Sequence, residues 1–277
     1  MTSPKRRGRW TTLHNARLES GKTYENVVFT GGTEARGVLH INYNLSNVVV
    51  RNFLVKPGPQ NGITVNCWPG VHVEDLVFEN GIVEGQPRMG FECTDRRTDA
   101  VYQHVNQHGV RYRPQGSQAI SYDGPPLGAD CVLGSVLIEG AGRNPAERWG
   151  AGFEVNGPSG FYVDGLTIYR CRSHAMNLQG KGVRPDIANY FRNLNLDASL
   201  RVGGTEVVND PASQMVWAKG LIWAKFSGHI KQGGSGGELG YLDGCHDLDF
   251  TGVQWVDLRR KPLVTQVNGC SGNVGLP

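Results

Sequence analysis

Apolar and polar residues alternate in short runs along most of the chain, and one phrase returns nine times. The phrase is an apolar-x-apolar piece, then a residue that is usually Asn, Asp or Gly, then a second apolar-x-apolar piece. Residues 71–78 and 161–168 are clear copies. Alternation over so few residues is typical of short β-strands with one buried face, and no helical periodicity lies between the copies. The pattern predicts an all-β chain.

The residue between the two apolar pieces recurs at intervals of 23 to 32 residues. It is Asn26, Asn52, Asp75, His104, Ser135, Gly165, Asn193, Gly220 and Gly252 in turn. Such intervals suit one turn of a parallel solenoid and are short for strand–helix–strand units. We expect this residue to turn the chain through a left-handed backbone conformation, which Asn, Asp and Gly tolerate best. His104 and Ser135 fit that role less well.

A second phrase, a strand that ends in a polar residue, lies between the copies. It occupies residues 39–42, 63–66, 91–94, 120–123, 153–156 and 176–179. Each repeat therefore has three short strands, and three parallel strands per turn form a triangular prism.

In these two phrases the chain resembles the right-handed parallel β-helix repeat proteins of the pectate-lyase-like family, over roughly residues 20–270. The resemblance implies a right-handed three-sheet parallel β-helix (solenoid) of about nine rungs. This fold carries lyases, hydrolases, epimerases and non-catalytic phage tail proteins, so the resemblance does not specify an activity. The tail-spike members are commonly trimers, which implies a homotrimer or a subunit of a larger assembly.

Composition adds few constraints. We expect residues 1–20 to form a basic N-terminal arm and cap, and residues 21–277 to form a single β-helix domain. No apolar segment follows the basic start, and no apolar run is long enough to span a membrane, so we expect neither a cleaved signal nor a membrane span. The net charge of +3 does not favour specific nucleic-acid binding. The six cysteines form no CxxC pair, which favours buried free thiols and predicts no metal site and no cofactor.

The third strand of each repeat offers a candidate site, because its polar residues should face outward in one column. The column consists of His40, Thr64, Glu92, Ser121, Glu154 and Asn177, with Asp123 in the neighbouring column. Stacked strands lie ~4.8 Å apart, which would separate Glu92 from Glu154 by ~10 Å and Asp123 from each by ~8 Å. Carboxylates at such a distance can hold a water between them, as in inverting glycoside hydrolysis.

Flanking segments complete the predicted site. We predict ligand-binding roles for His40, Thr64, Ser121, Asn177, Arg148, Trp149 and His174, and catalytic roles for Glu92, Asp123 and Glu154 if the protein is an enzyme. Arg88, Arg111 and Arg113 would add cations for a polyanionic sugar chain. Trp217, Trp223 and Trp255 are interpreted as core or protomer contacts rather than as a ligand platform. The alternative is that the acids belong to an ordinary solvated face.

Two functions remain open at this point. The first is a non-catalytic phage virion (tail) protein that contacts a surface glycan or a neighbouring subunit. The second is an extracellular polysaccharide-degrading enzyme, more easily a glycoside hydrolase than a calcium-assisted lyase, because the three acids are too far apart to converge on one ion.

Overall fold

The computed structural model describes residues 9–33, 37–95, 101–113, 116–123, 130–141, 151–157, 160–171, 174–180, 188–197, 201–202, 205–206, 214–232, 238–257 and 264–277. Within these ranges the chain is all β and contains no helix. It follows that none of the described segments is a helix able to cross a membrane.

The strands are short and follow one another closely. In chain order they are β1 (Thr11–His14), β2 (Thr23–Thr30), β3 (Leu39–Ile41), β4 (Leu45–Val55), β5 (Ile63–Cys67), β6 (His72–Glu79), β7 (Ile82–Glu84), β8 (Phe91–Asp95), β9 (Val101–His108), β10 (Arg111–Arg113), β11 (Ile120–Asp123), β12 (Val132–Gly134), β13 (Leu137–Ala141), β14 (Phe153–Asn156), β15 (Tyr162–Asp164), β16 (Thr167–Cys171), β17 (Met176–Gln179), β18 (Asn189–Asp197), β19 (Arg201–Val202), β20 (Thr205–Glu206), β21 (Val216–Lys219), β22 (Ile222–Gln232), β23 (Gly240–Asp243), β24 (His246–Asp257) and β25 (Val264–Val267).

The strands stack in parallel as a β-solenoid of about six turns. One sheet has nine strands, in the order β25-β23-β21-β17-β14-β11-β8-β5-β3. Fourteen strands form the second sheet, in which long strands such as β4 and β6 run through a turn and pair on both sides of it. Strands β19 and β20 form a small antiparallel pair. The predicted all-β parallel solenoid is thus confirmed.

Alternating burial explains why these residues form strands. In β14, Phe153 and Val155 are buried, whereas Glu154 and Asn156 between and after them are half-buried. The same alternation in the other strands fills one continuous core along the solenoid. Apolar residues at every second position therefore leave the remaining side chains for the outer faces.

Most of the predicted turn residues adopt the predicted left-handed backbone conformation, but they lie at different corners of the solenoid and do not form a single column. Eight of the nine adopt a positive φ, including His104 at 51° and Ser135 at 52°, and Gly252 instead lies inside β24 opposite Ser227. Asp75 faces His104 at one turn, with 2.8 Å between its Oδ1 and the imidazole Nδ1. Asn26 and Asn52 face each other at a second turn.

The prediction of one recurring turn is therefore wrong. Gly220 lies at a third turn, at the end of β21, where its N–H donates to Asp243. The physical reason is that left-handed residues occur at all three of these corners, so Asn, Asp and Gly in the sequence do not tell one corner from another.

One outer face of the fourteen-stranded sheet carries a ladder of paired charges. Lys56 pairs with Glu84 at 3.7 Å, and Lys231 pairs with Asp197 at 3.6 Å. Arg113 contacts Glu139, which also accepts a hydrogen bond from the Tyr169 hydroxyl at 3.1 Å. We call this row the charge ladder.

The charge ladder corrects the predicted position of two cations. Arg111 and Arg113 lie in β10 and both face Glu139, at 3.7 Å for Arg111. They belong to the opposite sheet from the predicted acids and cannot form a wall beside them. Arg111 and Arg113 are close to Asp123 in the sequence only because few residues connect β10 with β11.

The solenoid begins earlier than the predicted domain boundary. Strand β1 pairs with β2 from Thr11, and Leu18 is buried in the core. Both lie within the segment 1–20 that was expected to form the arm and cap, while residues 1–8 of that arm lie outside the described residues.

Candidate ligand-binding site

The predicted column forms a continuous row across the nine-stranded sheet, which we call the polar row, but Thr64, Ser121 and Asn177 within it are buried rather than exposed. Strand pairing places its members directly opposite one another in the order His40, Thr64, Glu92, Ser121, Glu154, Asn177, Trp217, Tyr241 and Thr265. The first six are the residues that the alternation predicts, in the predicted register. The last three extend the row by three strands.

Glu154 is the most densely hydrogen-bonded acid of the polar row. Its Oε2 accepts from the Asn177 amide at 2.8 Å, and its Oε1 accepts from Ser121 Oγ at 3.3 Å and Gln118 Nε2 at 3.4 Å. Burial raises the pKa of Glu154, the three hydrogen bonds oppose that rise, and the charge of Asp123 adds to it. The result is a carboxyl group that holds its proton at higher pH than an exposed glutamate.

Glu92 has a partner of its own. Its Oε2 accepts from the Asn61 amide at 2.7 Å, and the same amide lies 3.4 Å from Thr64 Oγ1. The Asn61 oxygen in turn accepts from the backbone N–H of Met89 at 3.3 Å. Asn61 therefore fixes Glu92 against the strand, because both ends of its amide are engaged.

Asp123 lies in the neighbouring column. It ends β11, is exposed, and lies opposite Thr94 and Asn156. One strand spacing and two residue rises separate it from Glu154, which corresponds to ~8 Å. An exposed carboxylate at this distance from a carboxyl group of raised pKa has the arrangement of a general base and a general acid.

Two buried amide oxygens of the site are unsatisfied. Asn177 is only 9% exposed, yet its Oδ1 has no hydrogen-bond partner among the described residues. The same holds for the Oε1 of Gln118. Buried polar atoms without a partner are rare in folded proteins, and these two oxygens are enclosed by protein rather than exposed to solvent.

Trp217 and Tyr241 continue the polar row beyond Asn177, and sequence reasoning missed them. Both are half-buried and point outward, since their neighbours Val216, Ala218 and Leu242 fill the core. The Trp217 ring stacks on His174 with 6.0 Å between the ring centroids. Trp217 is therefore not a core residue, whereas the alternative prediction of a contact with another protomer remains a prediction. Small residues in these strands, Ala218 and Gly240, weakened the apolar alternation that would have revealed them.

The other predicted residues have mixed positions. His174 lies beside the polar row through its stacking on Trp217, whereas Arg148 and Trp149 lie outside the described residues. His40 begins the row and lines a separate cavity of about 320 Å³ together with Arg17 and Tyr43. There the Arg17 guanidinium lies 4.1 Å from the centre of the Tyr43 ring.

In the described ranges, no three His, Cys, Asp or Glu side chains are arranged to hold a metal ion.

No protein-family model matches the chain, and neither a characterised protein nor a solved structure is significantly similar to it. The function is therefore argued from the polar row alone.

Proposed function

We propose that the protein binds a glycan along the polar row and serves as a non-catalytic structural or receptor-binding component of a phage tail. The observation that carries this proposal is the sequence of side chains Glu154, Asn177 and Trp217 on three consecutive strands. Acids and amides hydrogen-bond sugar hydroxyls, and an aromatic ring offers an apolar face to the sugar ring.

The charges of the row favour a neutral glycan over a polyanion. Glu92 and Glu154 are its only ionisable side chains besides His40 and Tyr241 within the described residues, so it contains no Lys or Arg. In the neighbouring column, Lys219 is paired with Asp243 at 3.3 Å. A polyanionic chain would meet two carboxylates without compensating cations, which costs free energy.

The proposal also covers the handedness of the solenoid, its number of rungs and its oligomeric state. We infer that the solenoid is right-handed and that it has about nine rungs, when one rung is counted for each strand of the nine-stranded sheet. A homotrimer in the virion is supported by exposed apolar side chains in the last third of the chain, namely Trp223, Val256 and Val274. Their exposure suits a contact with a neighbouring subunit.

A second candidate function is an extracellular glycoside hydrolase, and the raised pKa of Glu154 beside Asp123 favours it. In that case Glu154 is the general acid, Asp123 is the base that activates water, and Glu92 stabilises the charge that develops on the sugar. This reaction needs no metal or cofactor.

A panel of neutral and acidic polysaccharides, tested by isothermal titration calorimetry and by release of reducing ends, separates these functions. We expect a neutral glycan to bind without being cleaved, and Trp217→Ala to weaken binding at least tenfold. Trp10→Ala is the matched control, because Trp10 is exposed outside the row.

Each other outcome has a defined meaning. Cleavage that Glu154→Gln abolishes while binding persists would replace the structural function by the hydrolase. Binding of acidic glycans only, or binding unchanged by Trp217→Ala, would contradict the proposed site.

A further inference from the structure

Two of the six cysteines lie together at the C-terminal end of the solenoid. Cys245 immediately precedes β24, and Cys270 follows β25 on the adjoining chain segment, 25 residues further along. The backbone N–H of Cys245 lies 3.2 Å from the sulfur of Cys270, and Ser271 N–H donates back to the Cys245 carbonyl at 3.2 Å. The two residues are therefore direct neighbours across adjacent turns.

The two sulfurs also approach the same short stretch of backbone. The Cys245 thiol lies 3.6 Å from the carbonyl oxygen of Asp243, and the Cys270 thiol lies 3.4 Å from that of Leu242. Adjacent strands place Cα atoms ~4.8 Å apart, which falls within the range of ~4.4–6.8 Å that a disulfide spans. Because His246 pairs with Ser271, Cys270 lies opposite Cys245 at a strand separation that suits a disulfide.

We propose that Cys245 and Cys270 are an oxidative modification site, and that a disulfide between them staples the last turn of the solenoid to the turn before it. This proposal is independent of the glycan site. The other four cysteines, Cys67, Cys93, Cys131 and Cys171, are buried within the core.

The reaction follows from the different exposure of the two thiols. Cys270 is half-buried, so its thiolate attacks an external disulfide such as oxidised glutathione and releases one glutathione thiolate. The fully buried Cys245 then attacks the Cys270 sulfur of the mixed disulfide, which releases the second glutathione as Cys245 loses its proton. Burial raises the pKa of Cys245 to about 11, so this second step should accelerate with rising pH.

Intact-mass and peptide mass spectrometry of the folded full-length protein test the proposal. After oxidised glutathione, we expect the loss of two hydrogen atoms, a single cross-link between the peptides of Cys245 and Cys270, and four cysteines still open to alkylation after denaturation. Amide exchange in residues 264–277 should slow by about tenfold, because the bond limits opening of the end.

Two variants make the result decisive. Cys270→Ser should abolish the cross-link, whereas Cys67→Ala, which removes a core thiol, should leave it intact. A folded protein that keeps six free thiols, that stops at the glutathione adduct, or that cross-links another pair would overturn the proposal.

Discussion

Left-handed backbone positions decide which residues this solenoid accepts at its turns. Thirteen described residues other than glycine have a positive φ, and most are Asn or Asp. Asn193 is one of them, with a φ of 50° and a side chain that donates to Asp164 at 2.6 Å. For a residue with a Cβ this conformation costs ~1–2 kcal/mol, which Asn reduces through local hydrogen bonds.

The backbone cost can be measured separately from the lost hydrogen bond. We predict that Asn193→Ala is less stable than Asn193→Gly by about 1 kcal/mol, because both lack the amide but only alanine has a Cβ. Asn195 in the same strand is exposed and has no positive φ, so there we expect the glycine variant to be the less stable one. Chemical denaturation of the four variants checks this, and the same order at both positions would contradict it.

At the scale of the element, the pKa of a glutamate is shifted in opposite directions on the two outer faces. In the polar row, burial raises the pKa of Glu154, and the charge of Asp123 adds to that rise. In the charge ladder, burial acts against ionisation of Glu139, but its hydrogen bond and charge interaction with Arg113 outweigh burial and lower its pKa. The polar row thus favours the protonated form of Glu154, whereas the charge ladder favours the ionised form of Glu139.

This contrast predicts opposite pH dependence for two amide variants. A lowered pKa stabilises the fold above the ordinary pKa of glutamate and loses that effect on acidification, so Glu139→Gln should cost roughly 1 kcal/mol at pH 7 and progressively less as the pH falls through the titration of Glu139. A raised pKa has the reverse effect, so the stability of Glu154→Gln relative to wild type should increase as the pH rises through the titration of Glu154. Thermal unfolding of both variants from pH 3 to 8 measures this. Parallel profiles would refute it.

The sequence allowed the polar row to be predicted but not the full arrangement of turns. The row followed from alternation in strands such as β8, β11 and β14, because a period of two fixes which side chains face outward. The turns could not be told apart, since Asp75 and Asn52 satisfy the same backbone requirement at different turns. Trp217 was missed because Ala218 is too small to signal a buried strand. The partnership of Glu154 with Gln118 depends on the lateral position of the strands, which no local pattern encodes.

At the scale of the whole molecule, the core is a series of layers that contact only their neighbours. In the C-terminal half, Phe191, Phe226 and Phe250 stack face to face, with ring centroids 5.0 Å and 4.3 Å apart. Nearer the N-terminus, Phe53 and Phe78 meet edge to face at 5.6 Å. Each layer should therefore contribute its own share of the free energy of unfolding, and a packing defect in one layer should destabilise mainly the strands next to it.

Removing one ring of the stack should unfold one end first. Phe226→Ala leaves a cavity between two rings and should cost about 3–5 kcal/mol, with faster amide exchange in β18, β22 and β24 than in β2 and β4. Phe53→Ala is the control, and it should speed amide exchange in β2 and β4 more than in β18, β22 and β24. Hydrogen exchange read by mass spectrometry distinguishes them, and uniform loss of protection in both variants would show that the solenoid unfolds as a single unit.

The parallel pairing of strands also determines how the molecule carries mechanical load. Hydrogen bonds between strands run roughly along the stacking direction, so tension applied between the two ends loads successive strand pairs in series. The interface that separates first is then the one with the shortest pairings, where β10 meets β13 and β9 meets β12 through two aligned residues each. Tension applied across a single turn instead shears all bonds of a long strand such as β22 together. The solenoid should thus resist sideways pulling far better than extension along its axis.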